Sequence, residues 1–364
     1  MERVLLNKVA YFSQLPGWEI SVVTTDQRQR PSFYPFPVKV HMIDLGINYS
    51  EDNDKGVWKK IIGYLCKRRV HKRKLTALFQ KEKPDIVVSL YPSESSFIPS
   101  IKDGSKKVLE LHYCKFFRLQ YGRSGLLGLI DGWRTKQDEK IVSRFDKFVV
   151  LTHEDKGYWG GLHNIEVIPN AALFIGKRYS DVSSRRVIAV GRLDYQKGFD
   201  RLIRAWKMVQ HTAKFADWRL DIFGQGEWRD MLLQMIDDKG LQANAHIHSP
   251  TKDIAAEYAQ SSLLVMSSNY EGFPMVMIEA MACGLPVVSF DCKCGPKDII
   301  KHGENGLLVS NGDIEGMAAA MMRLMEDADY RKMLSQNAQK VVDTYSEEVV
   351  MGQWVKLFSS LMEK

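Results

Sequence analysis

Cysteine is scarce in this chain: five residues in 364, at Cys66, Cys114, Cys283, Cys292 and Cys294, too few and too scattered for a disulfide framework. Only Cys292 and Cys294 are close, and a C-x-C pair without a second pair is a poor zinc signature. Reduced thiols are expected throughout. Long apolar runs are missing too, since no stretch approaches the roughly 18 uncharged apolar residues of a membrane-spanning helix. No basic segment followed by an apolar one opens the chain, so no secretory signal is read there. There is no G-x-x-x-x-G-K-[ST], which argues against a P-loop nucleotide hydrolase. Gly224-Gln225-Gly226 begins a dinucleotide fingerprint, but Arg229 stands where the third glycine belongs, and a nicotinamide enzyme is disfavoured. Asp52-Asn53-Asp54 and Asp327-Ala328-Asp329 have D-x-D form without a buried strand before them. Both are expected to be solvated surface, and no metal site is expected.

What is present is globular. Hydrophobic residues make up 45% of the chain and charged residues 26%, enough to bury two cores and too apolar for disorder. The length suggests two domains, set here at 1–172 and 173–345, with residues 346–364 returning to the first. Net charge is uneven. Residues 1–173 hold 28 Lys and Arg against 19 Asp and Glu, or +9, and the remainder holds 23 against 25, or −2. A basic half suggests an anionic partner, a lipid surface or a nucleic acid.

Short β-branched runs alternate with amphipathic stretches through the second half: Arg186–Val190 then Asp200–Gln210, Arg219–Phe223 then Glu227–Asp237, Leu263–Ser267 then Met275–Cys283, and Pro286–Phe290 then Lys297–Lys301. Near-continuous apolar strands separated by helices predict a parallel, doubly wound sheet. Asp313–Met325 and Tyr330–Thr344 read as covering helices. The first half repeats the pattern less regularly, with strands expected at Glu19–Thr24, Val38–Ile43, Asp85–Leu90, Lys106–Leu111 and Lys147–Leu151. A polar linker is expected at Lys177–Arg185. A last helix, capped by Ser346, should place Val350, Trp354 and Phe358 on one face. The chain starts inside a helical pattern (Arg3, Leu5, Leu6, Val9, Ala10, Phe12) without the strand and glycine turn that open such a domain. The first strand of the N-terminal domain is thus expected to be missing here and encoded by about twenty residues upstream of Met1.

Two clusters carry the chemistry. Glu271-Gly272-Phe273-Pro274-Met275-Val276-Met277-Ile278-Glu279 follows the strand Leu263–Ser267, and the carboxyl ends of parallel strands are where such sheets bind ligands. Pro274 suits the first helical position, and Glu279 falls in the second turn. Backbone N–H groups of Gly272, Phe273 and Met275 would face an anion or a sugar oxygen, while the carboxylates grip hydroxyls. Gly191-Arg192-Leu193-Asp194-Tyr195-Gln196-Lys197-Gly198 lies at another strand tip, where two fixed cations could neutralise a diphosphate without a metal. His112 ends a strand of the first half, facing the cleft if that half is wound as proposed; a core or surface histidine is the alternative reading. Trp58–Leu75 holds eight Lys or Arg with Trp58, Ile61, Ile62, Tyr64 and Leu65 between them. Lys115–Lys136 is a second basic and apolar stretch, with Phe116, Phe117, Leu126, Leu127 and Trp133. Such segments can lie on an anionic membrane, or pack on their own sheet with a solvated basic face.

These motifs, with Gly284-Leu285-Pro286-Val287-Val288, Gly303-Glu304-Asn305-Gly306-Leu307-Leu308-Val309 and Val167-Ile168-Pro169-Asn170, resemble the retaining glycosyltransferases of family 4. That resemblance implies the α/β GT-B fold, two Rossmann-like doubly wound domains facing a cleft. It implies that Gly191, Arg192 and Lys197 hold the diphosphate of a UDP- or GDP-sugar and that Glu279 binds the ribose. Glu271 with the backbone of Gly272, Phe273, Pro274, Met275 and Val276 would hold sugar and diphosphate, and His112 would contact the donor sugar and support the reaction. No separate cofactor is implied. The acceptor would be a glycan or a polyprenyl-diphosphate-linked chain in surface polysaccharide assembly, at the inner face of the cytoplasmic membrane. The alternatives are a sugar-nucleotide epimerase of the same fold and a nucleic-acid-binding protein using the basic half, although no base-stacking platform supports a nucleic-acid partner.

Overall fold

Apolar runs too short for helices, each followed by a turn and an amphipathic stretch, leave parallel pairing as the only way to bury both faces of a strand. The computed structural model describes residues 2–28, 30–52, 54, 56–90, 94–117, 125–172 and 179–363. Asn53, the side chains of Leu126 and Leu127, and Lys177 at the head of the expected linker lie outside the described residues. Twelve strands form among them: β1 (Ile20–Thr24), β2 (Val40–Asp44), β3 (Ile86–Leu90), β4 (Lys106–Glu110), β5 (Lys147–Val150), β6 (Ile165–Val167), β7 (Arg186–Val190), β8 (Arg219–Phe223), β9 (Ala245–His248), β10 (Leu263–Met266), β11 (Val287–Asp291) and β12 (Gly306–Ser310). Every pairing between them among the described residues is parallel.

The second half carries one six-stranded sheet in the order β12-β11-β10-β7-β8-β9. Chain direction across the sheet reverses between β7 and β10, which makes their tips the switch point where a crevice opens. Leu263 to Met266 are buried on both faces, and Trp206 from the helix Phe199–Gln210 is fully enclosed with Leu202, Ile203 and Val209. The first half divides into β1-β2 and β3-β4-β5-β6, and these two sheets share no ladder among the described residues. Three short edge strands, β6, β9 and β12, escape the sequence pattern: one has three residues, one carries two histidines and one begins with glycine.

The closing helix, Glu347–Met362, crosses back to the first half and seats Trp354 and Phe358 against Phe12, Val108, Val149 and Ile168. Ser346 occupies its N-cap position without a side-chain capping bond, contrary to expectation. One D-x-D segment differs from expectation: Asp52 is buried and pairs with Lys67 at 2.8 Å. Asp327 and Asp329 are exposed, as expected, and Asp327 caps the helix Ala328–Ala338 by accepting the N–H of Tyr330 at 2.8 Å. No helix among the described residues is long and apolar enough to cross a membrane.

The glycines of Gly224-Gln225-Gly226 are explained by crowding. The loop after β8 runs beneath the loop after β7, with Leu193 donating its N–H to the Gln225 carbonyl at 2.9 Å. A Cβ on Gly224 would stand 1.9 Å from the Gly191 carbonyl oxygen. Gly224→Ala should therefore part the two strand tips and cost about 2–3 kcal/mol in urea unfolding. Gly352→Ala, whose new carbon meets nothing within 4 Å in a helix interior, should instead stabilise by about 0.5–1 kcal/mol. Equal effects of the two changes would contradict this packing.

Candidate active site

Gly191 lets the side chain of Lys197 lie across it, since a Cβ there would sit 3.0 Å from Lys197 Cγ. Gly198, in the left-handed region at φ 58°, then turns the chain into the helix Phe199–Gln210. Lys197 is thereby directed to the tip of β10, where its Nζ donates to Glu271 Oε1 at 2.6 Å. The hydroxyl of Ser268 donates to the same oxygen at 2.6 Å. Glu271 is buried, and its own N–H donates to the Lys293 carbonyl, fixing it to the loop after β11. The two motifs read separately in the sequence are one ion pair at the switch point. Arg192 stays exposed, with its guanidinium donating to Gln196 Oε1 at 2.5 Å and 3.3 Å from Asp194.

Pro274 caps the helix Met275–Ala282 instead of opening it, and the N–H of Met275 is already donated to the Phe273 carbonyl at 3.0 Å. Met275 therefore leaves the expected set of anion-facing amides. Glu279 lies in the second turn as the spacing predicts, partly buried. Burial holds its carboxyl above the ordinary range, against the opposing pull of Arg3 from the first helix, Glu2–Phe12. Val276 is partly buried beside the apolar cluster beneath the site.

His112 lies two residues past the end of β4, and the two halves meet there. A Cβ on Gly272 would come within 2.6 Å of the His112 carbonyl oxygen. Only glycine admits that approach, so Glu271, Gly272, Lys197 and His112 are brought to one place from both halves. Beneath His112 the structure supplies a pair that the motif reading missed. Glu110 and Lys8, both buried, are 2.5 Å apart, and Glu110 Oε1 is 3.5 Å from His112 Nε2. A signal existed: Glu110 interrupts Val108-Leu109-Glu110-Leu111, and Lys8 takes an apolar-face position between Leu5 and Phe12.

The expectation of reduced thiols throughout is corrected at one flank of the cleft. Cys114 and Cys294 form a disulfide between the two halves, with Cα atoms 6.0 Å apart and a sequence separation of 180. Cys66, Cys283 and Cys292 remain free, and burial pushes the Cys292 thiol far above its usual range. Around the disulfide the halves are clamped by polar contacts. Asp298 accepts the N–H groups of His153 (2.7 Å) and Glu154 (3.3 Å) at the start of the helix His153–Tyr158. Glu154 in turn accepts the Cys294 N–H at 2.9 Å. Asp155, beside both sulfurs, accepts from the Lys115 N–H at 2.8 Å and the Trp159 indole at 3.2 Å. With both sulfurs committed to each other, the Cys114–Asp155–Cys294 group is a crosslink beside a buried carboxylate, not an ion site.

Two doubly wound units whose strand tips meet across a cleft make the GT-B architecture of sugar transferases. Residues 175–341 match the family model for glycosyl transferases group 1. The chain is 39% identical over 219 residues to the amylovoran biosynthesis glycosyltransferase AmsD of Erwinia amylovora, a match covering 57% of this chain. The match spans 61% of that relative's length. Among solved structures it resembles sucrose-phosphate synthase from Thermosynechococcus elongatus (TM-score 0.81, 18% identity, covering 100% of this chain and 94% of the other). It also resembles HepE of Anabaena in complex with UDP and glucose (TM-score 0.71, 18% identity, 99% and 95%). Both of these likenesses are of fold.

Burial of Asp155 raises its carboxyl to about 6 from 3.8, against the bonds from Lys115 and Trp159. The folded state thus holds this proton more tightly than the unfolded chain. The resulting stabilisation is complete below about pH 4 and lost as pH rises through about 6. Asp155→Asn removes the titration, so the wild type's melting temperature should fall relative to the variant's between those two pH values. A constant difference would show that Asp155 is ionised throughout.

Proposed function

We propose that this chain transfers a hexosyl group from a nucleoside-diphosphate sugar to a glycan or polyprenyl-diphosphate-linked acceptor, with retention of anomeric configuration, in surface polysaccharide assembly. The observation that carries the reading is the meeting of Lys197, Glu271, Gly272 and His112 at the switch point of the sheet that matches the group 1 transferase model. The named function of the Erwinia relative and the UDP held by the Anabaena protein support polysaccharide and a uridine nucleotide.

In this reading Arg192 and Lys197 bind the diphosphate, with Gly191 admitting it. Glu279 accepts the ribose hydroxyls. Glu271 and the loop Gly272, Phe273, Pro274 and Val276 hold the sugar. The bond from the anomeric carbon to the diphosphate breaks as positive charge builds on the sugar and negative charge on the leaving oxygen. Fixed cations in a closed cleft stabilise that oxygen. The departing phosphate takes the proton of the acceptor hydroxyl on the same face, which gives retention. A diphosphate leaving group needs no protonation, so Glu271 and Glu279 are not the acid and nucleophile of a glycosidase.

Lys197 must exchange its bond to Glu271 for the diphosphate, and Arg192 is exposed and needs only to swing. Arg192→Ala and Lys197→Ala should each weaken UDP binding about tenfold to a hundredfold in calorimetric titration with EDTA present, as expected for loss of a charged contact. Unchanged affinity in both variants would sink the assignment.

The acceptor side supports contact with an anionic membrane from the cytoplasmic face. In the helix Val57–Glu82 the later turns bury His71, Leu75 and Phe79, whereas the early turns leave Trp58 78% exposed, with Ile62 and Leu65 beside it. The helix Gly125–Val142 is inverted: Asp131, Thr135 and Asp138 are buried while Leu129 and Trp133 are 74% and 60% exposed. Apolar side chains facing outward among Lys and Arg suit a headgroup region. Replacing Trp58, Ile62 and Trp133 together by serine should release the protein from sedimenting anionic vesicles and leave its melting temperature unchanged. Retained binding would refute the membrane face.

A further inference from the structure

The Lys8–Glu110 pair has no part in the roles assigned above, yet it lies under His112. Three elements meet there: the helix Glu2–Phe12, the end of β4, and the closing helix, whose Trp354 ring lies 3.7 Å from Lys8 Nζ. Glu110 is almost fully enclosed. Its Oε1 takes both Lys8, at 2.5 Å, and the contact with His112 Nε2, at 3.5 Å, while its Oε2 has no hydrogen-bond partner among the described residues. An enclosed carboxylate with a spare oxygen would favour protonation of a neighbouring imidazole unless another cation offset its charge. Lys8 is that cation.

We propose that Lys8 is a positioning residue of sugar transfer: by offsetting Glu110, it keeps His112 a neutral imidazole beside the donor. The argument rests on the reading of His112 as a donor-contacting group. The sugar gains positive charge as its bond to the diphosphate breaks, and an imidazolium next to it would oppose that charge in a dry cleft. Burial also disfavours a charged His112, Glu110 pulls the other way, and Lys8 acts with burial. Glu110 is held below the ordinary carboxylate range: burial opposes this, and Lys8 pulls it down by its charge and its hydrogen bond. Across the cleft, Gly272 brings backbone and no charge against His112, and Glu271 is occupied by Lys197.

The two ends of the pair must then move His112 in opposite directions, which a purely structural role would not do. The test follows the His112 ring resonance of nitrogen-labelled protein, assigned by its loss in His112→Gln, from about pH 5 to about pH 9. Lys8→Met should raise the midpoint by about one pH unit or more, and Glu110→Gln should lower it. Lys8→Arg, which keeps the charge, should hold the wild-type midpoint. In transfer assays Lys8→Met should lose kcat at neutral pH, keep its KM for the donor, and recover as pH passes the new midpoint. Midpoints that move together, or do not move, overturn the proposal. If Lys8→Met does not fold, the sign of the Glu110→Gln shift decides alone: downward sustains it, and no shift overturns it. Opposed shifts that the transfer rate ignores would instead remove His112 from the reaction, and the positioning role with it.

Discussion

A missing side chain sets the geometry of the cleft. Because Gly272 carries only hydrogen, the loop after β10 can rest against the backbone of His112 and Tyr113. The consequences spread outward. Glu271 stands beside the opposite half, Lys197 is drawn over Gly191 to meet it, and Ser268 shares the load at the same oxygen. Any side chain at position 272 would hold the halves apart and leave these groups facing water, where a charge pair contributes far less.

The contrast between the two halves is one of electrostatic economy. At the crevice the ion pair of Lys197 and Glu271 lies at the tips of β7 and β10. Beneath His112 the pair of Lys8 and Glu110 is sealed and cannot be exchanged. The first arrangement suits binding and release. The second suits holding a neighbour in one charge state.

The second half was legible because its information is local. Strands such as Leu263–Met266 are buried on both faces and announce themselves as unbroken apolar runs, and the chemistry sits in the few residues after each. Edge strands such as β9 and β12 were not legible, because half-covered strands need no such run. Contacts made between distant segments left weaker traces. Asp52 looked like loop until Lys67 reached it, and Ser346 looked like a cap that the structure does not use. Cys114 and Cys294 carry no spacing rule across 180 residues. Lys8 and Glu110 did leave a trace, as charges in apolar positions, though only the fold says that they meet under a histidine.

The disulfide beside Asp155 bears on how the cleft can breathe. With Cys114 pinned to Cys294 and Asp298 clasping the start of the next helix, that flank is a fixed axle. The halves can swing about it but cannot draw apart along it. Any gape is therefore wedge-shaped, widest at the rim furthest from the pin.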